Sequence, residues 1–470
     1  MTFLGCCCNE KLKNVLITGI AMGISFSAVF PAGAVQNIAL EETSDIPLTV
    51  GYYSAIIQNI GSMVTALVFQ FLYNRLGLRL TAGLSIVLTT GSYWPMIWIT
   101  NQYVIYAGEF LSGIGRGAGW IFAPMIVMDN SEVGKSHRNM GYLWTTASAG
   151  MVLGGLVNYF YFVEVSSIST TNRQIVYALC AGVTVLASLL AGFGISEIKG
   201  RESHKTTADV TYVKIDESNG EDDSVMKVDE SSIGDDVVIM PKEDGDKKEG
   251  MDGDELNNSF SDFIVWFKMM ARRPVFWLHF VPLIYTGFIC AYFYKMFPTA
   301  IPSISNQRKL IPLTTVVIGG SNLVGSATSN IISRWITPTA CIVLSGLLIL
   351  VAMILSILIF PKEAFSQILE IGAAETFIKG GIVHLMVISA LIGLGDSMFA
   401  VIYDTAIGRL FDKKTSFGYS INTLVYHLMY GIGMFSPTLF DIHSYCYITM
   451  VTVVASCLAL AVGLKQYVRE

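Results

Sequence analysis

The sequence predicts an all-α membrane protein with twelve transmembrane helices in two pseudo-symmetric six-helix halves. Of its 470 residues, 53% are hydrophobic and only 14% are charged, more apolar surface than a soluble chain of this length can bury. Apolar runs of about 20 residues, enough to cross a hydrocarbon core about 30 Å thick, recur as two groups of six. Runs such as 341–360 are apolar on every face, which excludes a β-barrel with alternating strands.

The predicted spans follow one another through short polar turns, except in the middle of the chain. The first six spans cover residues 14–36, 50–72, 79–100, 103–128, 138–162 and 175–196. The second six cover residues 274–297, 311–332, 338–360, 381–405, 417–438 and 442–464. They define an N-terminal half at 14–198 and a C-terminal half at 273–465, with tails at 1–13 and 466–470.

Residues 199–258 separate the halves and are predicted to be a disordered, acidic cytoplasmic loop. Residues 199–255 contain 8 Lys and Arg against 18 Asp and Glu, with almost no aromatic side chains to bury. The loop is either a docking or phosphorylation segment or a solvated linker. Residues 259–272 carry apolar side chains at helical spacing and end in two arginines, which predicts a short interfacial helix.

The distribution of Lys and Arg predicts that both termini are cytoplasmic. Seventeen of these residues near the spans fall on the side of the termini and six on the other, and basic loops stay in the cytoplasm. Cys6, Cys7 and Cys8 lie just ahead of Lys11 beside the membrane, which suits S-palmitoylation; the alternative is an unmodified tail. The sequence does not distinguish the plasma membrane from an endomembrane.

The fourth span contains GIGRGAG, residues 113–119, which fits the loose pattern of a dinucleotide-binding loop. That loop needs a strand before it and a water-accessible helix start, whereas this stretch lies within an apolar span. We instead predict that small residues let a neighbouring helix approach closely. The predicted small-residue stripe is Gly108, Ser112, Gly115 and Gly119.

Three charged residues within the spans are the candidates for a cavity or coupling site. The 24 residues from Gly113 align without gaps with those from Gly393, so Arg116 aligns with Asp396 in the tenth span. Intramembrane charges pair or mark transport pathways. The alternatives are an Arg116–Asp396 pair across the halves, a functional role in binding a charged substrate or in proton coupling through Asp396 or Glu109, or a local Glu109–Arg116 pair.

Other polar residues in the spans are further candidates for a cavity or a gate. Four residues share a face of the eleventh span, either as a polar stripe facing the cavity or as interhelical hydrogen-bonding groups: Tyr419, Asn422, Tyr426 and Tyr430. Asp404 and Arg409, near the cytoplasmic end of the tenth span, are candidates for a gate pair. No nucleotide, hydrolase or metal motif is apparent, so the sequence favours neither an enzyme, nor a cofactor or metal, nor a nucleic-acid partner.

The chain resembles the major facilitator superfamily. After the second span, Arg75, Gly77 and Arg79 match the family's G-x-x-x-D-R-x-G-R-[RK] motif, which implies that they belong to a cytoplasmic gate. The chain departs from the motif at three positions: Gln70, Asn74 and Leu78.

Within that superfamily the chain is similar to the Uncoordinated-ninety-three-like branch, through LSGIGRGAGW in the fourth span and IGLGDSMFAVIYDTAIGRLF in the tenth. The resemblance implies either a channel accessory subunit, an escort of membrane receptors or a transporter. We therefore expect a major-facilitator-type protein in the lipid bilayer that moves a small solute, with a proton as a candidate coupling ion, by alternating access. The alternative is a non-transporting regulatory or trafficking subunit of an ion channel or membrane receptor.

Overall fold

A computed structural model describes most of the membrane body. The described residues are 10–41, 50–98, 101–132, 134–164, 169–196, 264, 267–268, 270–272, 274–304, 310–332, 335, 337–364, 376–411, 415–436 and 439–467. Their regular secondary structure is entirely helical. The cysteine cluster Cys6–Cys8 and the acidic loop 199–258 lie outside the described residues, as does most of the predicted interfacial helix 259–272.

The described helices occupy the positions of all twelve predicted spans and are numbered α1 to α12. In the N-terminal half, α1 is Glu10–Glu41, α4 is Gln102–Asp129, α5 is Ser136–Glu164 and α6 is Thr170–Gly194. In the C-terminal half, α7 is Pro274–Ala291, α8 is Leu310–Ile332, α9 is Pro338–Ile359, α10 is Ile382–Leu410, α11 is Thr415–Phe435 and α12 is Ile442–Tyr467. Beyond α7 the chain continues through a π-helical turn, Tyr292–Met296, into a short helix, Phe297–Ala300.

The second and third spans form one helical stretch, Val50–Val87, that changes direction at Gly77. There φ is 73°, a left-handed conformation that glycine adopts without a steric penalty. We name the part before Gly77 α2 (50–76) and the part after it α3 (78–97), which includes the 3-10 turn Leu88–Ser92 and the helix Trp94–Ile97. The Nε of Arg79 donates to the carbonyl of Ile195 at 3.1 Å, which ties the start of α3 to the end of α6.

Nine stretches among the described residues are long and apolar enough to cross a membrane. Eight coincide with single predicted spans, and the ninth, Tyr53–Ile97, covers α2 and α3 together. The helices α5 and α11 occupy the two remaining positions but are more polar. Both pack between the halves, where protein rather than lipid covers their polar side chains.

The helix contacts repeat between the two halves. In the N-terminal half α1 packs on α5 and α6, and the helix Val50–Val87 packs on α4 and α6. In the C-terminal half α7 packs on α11 and α12, α8 packs on α10, and α9 packs on α10 and α12. Between the halves, α5 packs along α8 and α2 packs along α11, the same pairing with the halves exchanged. The described helices therefore pack in two halves that repeat the same contacts, as the predicted pseudo-symmetry requires.

Glycine contacts place α4 and α10 equivalently. An added Cβ on Gly113 would lie 2.0 Å from the carbonyl oxygen of Gln58 in α2, and one on Gly393 would lie 2.5 Å from that of Ile318 in α8. These two glycines align in the internal repeat, so its register agrees with the packing. The predicted small-residue stripe is wrong at Gly119, because a Cβ there would meet nothing within 4 Å.

Candidate functional site

A cavity of about 100 Å³ lies between the two halves. Helices α1, α4 and α5 line one side, and α7, α8, α10 and α11 line the other. Two carboxyl groups, Asp396 and Asp404, face it from α10, together with serine, threonine and asparagine side chains. Among the residues that the structure describes, no lysine, arginine or histidine lines this cavity.

Asp396 is the charged candidate that faces the cavity. Its side chain is half-buried, and it makes no hydrogen bond or ion pair with any residue in the described part of the chain. The neighbouring Ser397 also lines the cavity but is satisfied by its own helix, since its hydroxyl donates to the Gly393 carbonyl at 2.9 Å. Asp396 is therefore available to a molecule inside the cavity.

Asp404 lies eight residues further along α10 and joins the two halves. It is 7% exposed, and its Oδ2 accepts a hydrogen bond of 2.9 Å from Nε1 of Trp144 in α5. The predicted partner, Arg409, is exposed and forms no ion pair with Asp404. A buried carboxylate of the C-terminal half is thus joined to a neutral donor of the N-terminal half, rather than to the predicted Arg409.

Aromatic side chains from both halves form a wall beside the cavity, which we call the aromatic wall: Phe26, Trp120, Trp144 and Tyr426. Trp120 is its centre, with ring centroids 5.2 Å from Trp144, 5.9 Å from Tyr426 and 6.3 Å from Phe26. All four residues line the cavity. The wall gives the cavity a face that is apolar and rich in π-electrons.

Arg116 is held beside the cavity rather than in its lining. Its Nη1 donates to Oε1 of Gln58 in α2 at 2.9 Å, and its Cζ lies 5.5 Å from the ring centroid of Tyr430 in α11. A guanidinium over an aromatic face is a favourable cation–π arrangement. Arg116 therefore contacts both halves through neutral partners.

Glu109 is buried at the far side of the same glutamine. It is 3% exposed and accepts hydrogen bonds from Nε2 of Gln58 at 2.9 Å, Nε2 of Gln36 at 2.8 Å and Oγ of Ser92 at 2.8 Å. Gln58 thus links the two charges through its amide. Within the described residues the one ion pair is Lys135–Glu132, so Arg116 lies within 4.0 Å of neither Glu109 nor Asp396.

The residues of the predicted polar stripe on α11 contact different parts of the structure. Asn422 and Tyr426 line the cavity, whereas Tyr430 contacts Arg116. Tyr419 is fully buried, and its hydroxyl donates to the Asp404 carbonyl at 2.7 Å. The adjacent His427 forms a 2.7 Å hydrogen bond between its Nδ1 and Oδ1 of Asn59 in α2, which also joins the halves.

Besides the hydroxyl of Tyr426, three cavity residues have buried polar atoms without a hydrogen-bond partner among the described residues: Oδ1 of Asn322, Oγ of Ser326 and Oγ1 of Thr423. Their side chains are 9%, 0% and 2% exposed. Unpaired buried polar atoms are costly unless a ligand or water satisfies them. Nothing in the sequence distinguished these three residues from the other polar residues of the spans.

The motif residues after the second span have structural contacts. Arg75 lies with its Cζ 5.1 Å from the ring centroid of Phe71, and Gly77 makes the turn between α2 and α3. Nearby, Oε1 of Gln70 in α2 accepts a hydrogen bond from the hydroxyl of Ser416 in α11. This hydrogen bond joins α2 to α11 at this end of their contact.

A family model described as "Ion channel regulatory protein UNC-93" matches residues 42–461. Two curated relatives are the UNC93-like proteins MFSD11 of Xenopus laevis and Xenopus tropicalis. They are 20% identical over 443 and 446 residues, and in each case the alignment covers 93% of this chain and 92% of the relative.

Two solved structures have a similar fold. The proton:xylose symporter XylE of the major facilitator superfamily, bound to 6-bromo-6-deoxy-D-glucose, superposes with a TM-score of 0.63 at 12% identity, covering 96% of this chain and 94% of the symporter. The major facilitator transporter FucP in its outward conformation gives a TM-score of 0.57 at 12% identity, covering 95% and 98%. At such low identity these likenesses show the fold.

Proposed function

Because the chain belongs to the UNC-93 family and has the major facilitator fold, we propose that it moves a small solute across a membrane by alternating access. The observation that carries the proposal is the cavity between the halves, faced by the carboxylate of Asp396, which has no partner in the part of the chain that the structure describes. In transporters, substrate and ion sites lie near the bilayer midplane at the interface between repeats. An ionisable group within a span has a functional role by default.

The contacts between the halves suit a rocking motion. They consist of side-chain hydrogen bonds, such as Trp144 to Asp404 and His427 to Asn59, and of helix packing along α5–α8 and α2–α11. No described ion pair crosses the interface. Opening the interface therefore breaks hydrogen bonds and ring contacts rather than any described ion pair.

A thiol that lines the cavity provides a test that needs no known substrate. Cys290 in α7 faces the cavity and is free. The full chain is reconstituted in liposomes, a membrane-impermeant thiol reagent is applied from one side at a time, and modification of Cys290 is measured by mass spectrometry. Alternating access predicts modification from both sides, and Cys290→Ser gives the background. Modification from one side alone, or from neither, contradicts the proposal.

The second candidate is a non-transporting regulatory or trafficking subunit of an ion channel or membrane receptor. The description of the matching family as ion channel regulatory favours it. It predicts that Cys290 is shielded from at least one side and that a channel or receptor co-purifies with the full chain in mild detergent. In both candidates the termini are cytoplasmic and the protein catalyses no reaction, as the sequence predicts.

A further inference from the structure

We propose that the cavity binds a small organic cation with a protonated amine, and that Asp396 is its counter-ion. This inference rests on the proposed function for the role of the cavity, and it names the chemical class of the solute. Binding at equilibrium does not require transport, so the two proposals can fail separately.

The charge of the lining favours a cation. Asp396 and Asp404 face the cavity, and no described lysine, arginine or histidine accompanies them. Eight residues of α-helix place the two carboxyl groups about 12 Å apart along α10. Asp404 already accepts a hydrogen bond from Trp144, whereas Asp396 has no protein partner among the described residues. Asp396 is therefore the carboxylate left for a ligand.

Arg116 does not offset this charge within the lining. Its guanidinium is turned towards Gln58 and the ring of Tyr430, and Glu109 lies on the other side of the same glutamine. The positive charge of Arg116 and the negative charge of Glu109, on either side of Gln58, balance each other. An anionic solute would have to reach Arg116 beyond the cavity lining.

The unpaired polar atoms complement an ammonium group. Oδ1 of Asn322 accepts hydrogen bonds only, and the hydroxyls of Ser326 and Thr423 accept as well as donate. An ammonium carries three donors and no acceptor, so a carboxylate and neighbouring oxygens satisfy it. A carboxylate ligand would place acceptors against Asp396 and Asn322.

The aromatic wall supplies the remaining face. A cation within about 6 Å of a Trp or Tyr ring centroid gains from the ring quadrupole, and more so when water is excluded. Trp120 and Tyr426 line the cavity, with centroids 5.9 Å apart. The carbon atoms next to the nitrogen of an amine fit such a surface.

The size of the cavity limits the ligand. A volume of about 100 Å³ holds only a few water molecules, since each takes up about 30 Å³ in the liquid. A similar number of heavy atoms suits a short amine or amino alcohol.

The test is equilibrium binding to the purified full chain in detergent, with three small probes of different charge: ethanolamine, acetate and glycerol. Ethanolamine is expected to bind and the other two are not. Asp396→Asn, which keeps shape and removes charge, should weaken ethanolamine binding about ten- to a hundredfold. Asp441→Asn is the matched control and should change nothing, because Asp441 is exposed and caps α12, a role that asparagine also fills.

Thr423→Val provides a variant whose folding is not at risk, because the hydroxyl that it removes has no described partner. It should weaken ethanolamine binding several-fold. Binding of acetate that is tighter than that of ethanolamine and is lost in Arg116→Gln overturns the proposal, as does ethanolamine binding that ignores Asp396→Asn. Ethanolamine binding without modification of Cys290 from both sides supports the cation site and contradicts transport.

Discussion

Gln58 is a neutral residue that hydrogen-bonds to two charged side chains inside the helix bundle, Glu109 and Arg116. Its amide donates to Glu109 with Nε2 and accepts from Arg116 with Oε1. An amide is the side chain that offers both functions in one plane. Glu109 receives further donors from Gln36 and Ser92, so its charge is stabilised by hydrogen bonds rather than by direct contact with the guanidinium.

Replacing Gln58 with leucine should therefore destabilise the protein. Both charged groups lose a hydrogen bond, and each such loss lowers the free energy of unfolding by about 1.5–3 kcal/mol. The measurement is thermal unfolding of the purified protein in detergent. Gln174→Leu, at a half-buried position in α6, is the matched control and should leave the unfolding temperature nearly unchanged. Equal unfolding temperatures for the two variants would show that the bridge contributes little.

The sequence singles out three charged residues in and beside the cavity, but not the residues that contact them. Arg116, Glu109 and Asp396 are visible because charges are rare in apolar spans. Gln58 and Trp144 are not, because neutral polar and aromatic side chains are common in such spans and their choice of partner depends on helix packing. The ion pairs predicted for Arg116 were direct ones, with Asp396 or Glu109. The structure instead places Gln58 between Arg116 and Glu109.

At the scale of the element, close packing of α4 against α2 depends on glycine. The position of Gly113 leaves no room for a side chain, since an added Cβ would lie 2.0 Å from the Gln58 carbonyl oxygen and 3.1 Å from the Gln58 Cα. The obstacle is backbone, which cannot move without displacing α2. The same contact orients Gln58 towards both charged residues.

Gly113→Ala should separate α2 from α4 and lower the free energy of unfolding by about 1–3 kcal/mol. Gly119→Ala, in the same helix and with nothing within 4 Å of its Cβ, should be neutral or slightly stabilising, since alanine is the better helix former. Thermal unfolding of the two variants side by side measures the difference. A Gly113→Ala variant as stable as Gly119→Ala would mean that the helices are further apart than described.

The sequence predicts the helices better than their interruptions. Each apolar run becomes a helix at the expected place, because run length and hydropathy decide which segments cross a bilayer. The π-helical turn after α7 leaves no such signal. The repeat between α4 and α10 is weak in identity, yet it is correct because Gly113 and Gly393 perform the same packing task.

At the scale of the whole molecule, alternating access requires the α5–α8 contact to open on one side. An added Cβ on Gly319 in α8 would lie 3.2 Å from the Cβ of Met151 in α5, close to the separation of about 3.5–4.5 Å that a disulfide needs. The double variant Met151→Cys with Gly319→Cys should therefore form a disulfide on oxidation. The two halves would then be joined at this point.

The disulfide is expected to restrict modification of Cys290 to one side of the membrane at most. Reduction, followed by removal of the reductant, should restore modification from both sides. Gly319→Cys alone, treated with the same oxidant, is the control for the oxidant and the added thiol. Two-sided modification that persists in the cross-linked protein would show that α5 and α8 need not separate.

The relative polarity of α5 and α11 has a consequence for how the protein is made. A segment too polar to partition into lipid by itself becomes stable in the bilayer when neighbouring helices cover its polar face. The partners of α5 include α8, which leaves the ribosome much later. Completion of the N-terminal half therefore depends on synthesis of the C-terminal half, and a chain that ends after α6 should be retained and degraded during biogenesis.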